Sequence, residues 1–133
     1  MSENMKVLEA MMAASKAKDH DAFVETTTDD VEYFWSMHAR PIIGKPGLRK
    51  FLRNYDASFE QREWSVRNWA EKDQMIMVEG MERLYDRARD VVIDNPFMQV
   101  VEFRDGRICS VRDYYDGSKM PPAPKPATKE SAE

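Results

Sequence analysis

The chain has 133 residues, 42% of them hydrophobic and 33% charged, with a formal net charge of −4. That length suffices to bury a core, and the acidic balance excludes the basic footprint of a nucleic-acid binder. No apolar run approaches the roughly 20 residues that a membrane-spanning helix needs, and the N-terminus lacks the basic-then-apolar layout of a secretory signal.

The first predicted element is a helix over residues 3–17. Met5, Val7, Leu8, Met11, Met12 and Ala14 recur there at helical spacing, and Ser2 or Asn4 caps its start. Asp19-His20-Asp21 reads as a turn, with Asp19 or Asp21 capping a short helix through Ala22-Phe23-Val24. His20 is a plain turn residue in this reading, and Thr26 to Asp30 closes the segment. A strand follows over residues 31–36, carrying Tyr33, Phe34 and Trp35. His38 lies in the loop after it, and Pro41 with Gly44-Lys45-Pro46-Gly47 extends that loop.

A third helix covers residues 48–59, with Leu48, Phe51, Leu52 and Tyr55 on one face. Strands are predicted over residues 64–69 and 75–85. In the second, Met75, Met77, Glu79, Met81, Arg83 and Tyr85 alternate against Ile76, Val78, Gly80, Glu82 and Leu84, so Glu82 and Arg83 point to opposite faces. Arg87 to Asp90 forms a polar hairpin tip. The next strand, residues 91–103, is interrupted at Pro96, which predicts a bulge or an edge position. Asp105-Gly106 is a hairpin turn, since glycine accepts the positive φ such turns demand. The last strand, residues 107–115, ends in Asp113-Tyr114-Tyr115. Residues 1–118 read as one domain, and 119–133 as a Pro-rich tail that is disordered or extended.

Helices first, with an early strand, then antiparallel strands predict an α+β domain with helices laid on one face of a curved sheet. Such a cone has an open mouth that suits a small molecule. The lone Cys109 excludes an internal disulfide framework and fits a reducing, cytoplasmic setting. Two histidines and one cysteine offer no metal-ligand spacing, and no glycine-rich phosphate cradle is present.

Several segments resemble the NTF2-like superfamily, in its limonene-epoxide-hydrolase-like and SnoaL-like polyketide cyclase branch. They are Thr28-Asp29-Asp30-Val31-Glu32-Tyr33, the run from Pro41 to Leu52, Glu82-Arg83, Asp105-Gly106-Arg107-Ile108, and Val111 to Asp116. The resemblance implies a conical, strongly curved, mostly antiparallel sheet wrapped by N-terminal helices around a pocket. It also implies a homodimer, no cofactor, and a hydrophobic small-molecule substrate. Asp113 matches the aspartate that acts as general acid or base, Tyr33 the water-positioning tyrosine, and Arg83 the arginine between two aspartates. Trp35 replaces the asparagine that shares the water, and also the aspartate base of ketosteroid isomerases. Tyr85 replaces the second aspartate, although a gapless count back from Asp113 sets Glu82 there instead. A slip of one residue exchanges the faces, so both registers stay open.

The residue chemistry defines the expected roles. A strand-end carboxylate such as Asp113 needs a partner or a task. Burial raises its pKa and a neighbouring Arg83 lowers it. Tyr33 and Tyr85 are candidates to stabilise a developing oxyanion, Glu82 to act as a second carboxyl, and His38 to transfer a proton. Trp35, Phe97, Trp69 and Tyr115 are the candidate aromatic walls for a cyclic or aromatic substrate. The leading expectation is a cofactor-free lyase or isomerase: dehydration, isomerisation, or aldol and retro-aldol chemistry. Epoxide hydrolysis, and a non-catalytic ligand-binding or scaffold role, are the alternatives.

Overall fold

A computed structural model of the chain describes residues 2–121. Helix α1 (Glu3–Ala17) starts where the Ser2 hydroxyl accepts from the Met5 N–H at 3.0 Å, and it buries Met5, Leu8, Met11 and Ala14 along one stripe. Lys18 then takes a left-handed conformation, and Asp19 caps α2 (His20–Glu25) by accepting from the Ala22 N–H. His20 is thus the first residue of a helix rather than part of a turn, and its imidazole lies 2.6 Å from Asp56 of the third helix.

Strand β1 (Thr27–Phe34) begins four residues before the predicted start at Val31. The β-branched Thr27 and Thr28 are buried strand residues, and the register against the neighbouring strand shifts between Thr27 and Glu32, leaving Asp29 and Asp30 outside. A two-residue strand, β2 (Ile42–Ile43), pairs with β1, and α3 (Gly44–Ser58) follows directly. The Gly44-Lys45-Pro46-Gly47 cluster, expected as a loop, forms the first turn of α3. Gly44 turns the chain at φ +81°. Pro46 sits in the first turn, where a missing N–H breaks no intrahelical bond.

Four strands complete the sheet: β3 (Phe59–Lys72), β4 (Met75–Asp86), β5 (Val91–Arg104) and β6 (Arg107–Tyr115). The order across the sheet is β2-β1-β6-β5-β4-β3, antiparallel throughout except for the parallel β1–β6 pair. β3 is far longer than predicted. Its charged run from Glu60 to Glu63 masks the strand pattern, yet it pairs with β4 from end to end, as edge strands rich in charge do. Two register shifts along β3 bend this side of the sheet. β5 runs through Pro96 without a shift against β4. Pairing with β6 ends at Phe97, so Pro96 occupies an edge position on that flank.

The concave face of the sheet and the inner faces of the helices meet in one core. Leu8, Met11, Val24, Val31, Leu48, Ile76, Val78, Val101, Ile108 and Val111 are wholly enclosed there. Asp105 and Gly106 turn between β5 and β6 with φ +53° and +78°. After β6 a short 3-10 turn, Gly117–Lys119, folds back over the β4–β5 hairpin. The Lys119 amine donates to the Asp94 carbonyl at 3.0 Å, and Arg89 donates to the Lys119 carbonyl at 2.8 Å. The start of the predicted tail is therefore tied down, and the rest lies outside the described residues. No described helix is long and apolar enough to cross a membrane.

Candidate active site

Between the helices and the concave sheet face lies a cavity of about 390 Å³. Its wall is assembled from every layer of the fold. Strand β1 and the residue after it supply Tyr33 and Trp35, while α3 supplies Phe51 and Tyr55. The rings of Trp35 and Tyr33 stand against Phe51, which leads to Tyr55 and Phe59, with centroids 5.3 to 6.3 Å apart. Trp64, Phe97 and Tyr115 line the sheet side, and Met120 reaches the cavity from beyond the 3-10 turn. The Tyr115 hydroxyl donates to the Trp35 carbonyl at 2.8 Å, tying the end of β6 to the end of β1.

Two carboxyl groups enter this aromatic enclosure. Asp113 of β6 stands directly across from Gln99 of β5, and the Gln99 amide donates to Asp113 Oδ1 at 2.6 Å. Burial pushes the Asp113 carboxyl up to about 7; the Gln99 hydrogen bond opposes that rise and the nearby Glu82 carboxylate adds to it. Glu82 of β4 accepts from the Tyr55 hydroxyl at 3.2 Å. Its carboxyl is also raised by burial, against hydrogen bonds from Tyr55, Gln61 and Asn95. Both acids are enclosed by protein while keeping one face open to the cavity. Burial and the two carboxylates raise the Tyr33 phenol, and Tyr115 is pushed up to about 12 for the same reasons. Both tyrosines therefore stay protonated donors at neutral pH.

The structure brings Asp113, Glu82, Tyr33, Trp35, Phe97 and Tyr115 together around the cavity. Four expected site residues lie elsewhere. Arg83 points out of the sheet, because its neighbour Glu82 points in; it pairs with Asp94 at 2.5 Å and Glu63 at 3.1 Å. Tyr85 shares that outward parity, donating to Asp90 at 2.6 Å beneath the Arg62 guanidinium. His38 is exposed in its loop, and Trp69, 42% exposed, pairs with Val78 toward the far end of β3. The register question is thereby resolved in favour of Glu82 as the inward acid. Arginine is excluded from the site: among the described lining residues there is no Lys, Arg or His.

Gln99 was not singled out from the sequence. Counting back gaplessly through the Asp105-Gly106 turn sets Asp113 opposite Met98; a register shift between Glu102 and Phe103 moves Gln99 into that place. Tyr55 and Phe51 were legible as helix residues only, and Trp64 as one of the surplus aromatics. Among the described residues no cluster of His, Cys, Asp and Glu is placed to hold a metal.

A strongly curved sheet wrapped by N-terminal helices around an aromatic cavity defines an NTF2-like fold, and solved structures share it. An NTF2-like protein from Burkholderia pseudomallei K96243 superposes with a TM-score of 0.82 at 20% identity, over 90% of this chain and 95% of that one. An LEH-like epoxide hydrolase of M. tuberculosis superposes at 0.76 and 22% identity, over 89% and 86%. A candidate polyketide cyclase of Pseudomonas putida KT2440 does so at 0.76 and 18%, over 87% and 92%. No curated protein matches the chain in sequence. The family model of the SnoaL-like domain matches residues 8–111, and the chain belongs to that family.

Proposed function

We propose that the protein is an acid–base enzyme acting on a hydrophobic cyclic or aromatic small molecule as a lyase or isomerase, with Asp113 as the proton-transfer group. The observation that carries this reading is a carboxyl group sealed into an aromatic cavity, with a pKa of about 7 and a buried amide fixing its orientation. A group that titrates near neutrality both takes and returns a proton with little penalty. In the ionised state Asp113 is a base; after abstraction it returns the proton elsewhere on the substrate. The Tyr33 hydroxyl lines the same cavity and is kept as a donor, which suits charge developing on a substrate oxygen. Arg83 has no part in this scheme. Retro-aldol or isomerisation steps would draw their stabilising hydrogen bond from Tyr33.

The test is a panel of cyclic hydroxy-ketones and enolisable ketones assayed on the wild type and Asp113→Asn. Loss of about a hundredfold or more in kcat/KM, with substrate still bound, supports the assignment. Unchanged turnover in the variant rejects it and favours a binding or scaffold role.

Epoxide hydrolysis is a second reading, favoured by the entry of Glu82, which gives the cavity a second carboxyl beside Asp113. Against it, Trp35 offers a ring where a water-holding amide would sit. Oxygen-18 from solvent in a diol product would establish hydrolysis. The exposed apolar side chains on the outer sheet face, Met77, Met98 and Tyr114, further support a homodimer built through that face.

A further inference from the structure

Beyond β6 the chain turns back on the domain. Asp116 to Lys119 are exposed around the 3-10 turn, yet Met120 comes back half-buried to line the cavity. It does so at the open end. Asn54 and Ser58, in the last turns of α3, are exposed lining residues, and the Ser58 carbonyl accepts from the Arg87 N–H of the β4–β5 turn at 3.0 Å. That same turn holds the segment carrying Met120. Arg89 donates to the Lys119 carbonyl at 2.8 Å and to Asp86 Oδ2 at 2.6 Å. The Asp86 side chain is 4% exposed and also accepts from the Ala88 and Arg89 N–H groups, so it aims the guanidinium. The Lys119 amine donates to the Asp94 carbonyl at 3.0 Å. Among the described residues these two bonds at Lys119 are the polar ties between the turn and the rest of the domain. The bonds from Ser118 to Asp116 and from Met120 to Gly117 are internal to it.

We infer that residues 117–120 form a clasp across the cavity mouth, with Met120 as its plug and Arg89 and Lys119 as its fastenings, and that ligands pass when it is released. Two surface hydrogen bonds are a weak hold beside the continuous ladders of the sheet, because each is largely offset by the bonds to water it replaces. Methionine suits the plug, since an unbranched thioether refits itself around ligands of different outline. Closure behind a ligand shuts water out of the chamber that holds Asp113. The inference rests on the cavity being a ligand site, and not on which group moves a proton.

The test is the rate at which the full chain binds 2-naphthol, a neutral ring probe, in stopped-flow fluorescence at neutral pH. A gate before a site scales entry and exit alike, whereas a lost contact with the ligand speeds exit alone. Lys119→Met, alone and combined with Arg89→Met, removes the fastenings without altering the cavity wall. Each bond removed is expected to raise both kon and koff about fivefold, with Kd held within about twofold. Met120→Ala should speed entry with the fastenings in place. Circular dichroism checks the fold, and Lys119→Met alone leaves the Asp86–Arg89 turn intact, so the outcome does not hang on the double variant. The clasp is overturned if Lys119→Met leaves kon unchanged, if entry is no faster in Met120→Ala, or if koff alone rises. Binding with unchanged rates sinks the clasp and leaves the cavity as a ligand site; no binding of 2-naphthol to any of these proteins rejects both.

Discussion

Asp113 concentrates the chemistry of the molecule in one proton. Its carboxyl titrates at about 7 in the folded protein against an ordinary value of 3.8, so between those limits the folded state holds a proton that the unfolded chain releases. The associated stability is therefore complete below about pH 4 and is lost as the pH rises through 7. Asp113→Asn removes that dependence. In urea unfolding the variant should match the wild type near pH 4 and exceed it near pH 8 by on the order of 1–2 kcal/mol, allowing for the solvent face of the cavity. A variant no more stable at pH 8 would show that the carboxyl is not held in its neutral form. For turnover with Asp113 as base, kcat/KM should climb with pH to a plateau above about 7. Gln99→Met, which deletes the hydrogen bond that lowers this pKa, should move that limb upward. Of these two partners only Asp113 was visible in the sequence. It stood out as an acid in a run of strand formers, whereas Gln99 is an ordinary polar residue until a bulge sets it opposite.

At the scale of elements, the cavity depends on how tightly three strands cross at Gly80. A methyl group there would collide with the Ser65 carbonyl on β3 and with the Phe97 ring on β5. Gly80 thus lets the bent edge of the sheet close on the cavity wall. Gly80→Ala should cost about 2 kcal/mol or more in chemical denaturation and weaken ligand binding through Phe97. A variant as stable as the wild type would show that the sheet accommodates the methyl group by an easy shift. The helices were readable because apolar spacing and caps reinforce each other, as in the stripe from Met5 to Ala14 behind Ser2. Strand edges were less so. β3 hides under a charged edge, β2 is too short to show a period, and the first turn of α3 is written in residues that elsewhere make loops. The alternation in β4 did establish that Glu82 and Arg83 diverge, but it carried no sign of which face was inward.

For the whole molecule, the uncovered face of the sheet is the main unpaired surface. Met77 is 44% exposed, Met98 47% and Tyr114 40%, and Met98 stands between Glu79 and Tyr114 across neighbouring strands. If a second copy covers this face, Met98→Lys should turn a dimer into a monomer in light scattering. The new ammonium can pair with Glu79 in the separated chain, so the fold itself is spared. A wild type that is monomeric at micromolar concentration would remove the dimer reading. The parallel seam between β1 and β6 carries a further consequence. It joins residues near the start of the chain to residues some 80 positions later, Tyr33 beside Val111 and Phe34 beside Arg112. Contacts so distant in sequence are slow to close, whereas β3 to β6 are linked by short turns and can zip locally. The meander would thus organise early, and docking of the leading segment would be the late event. Because that docking delivers Tyr33 and Trp35 to Asp113, the chain acquires its binding chamber only in the last stage of becoming native.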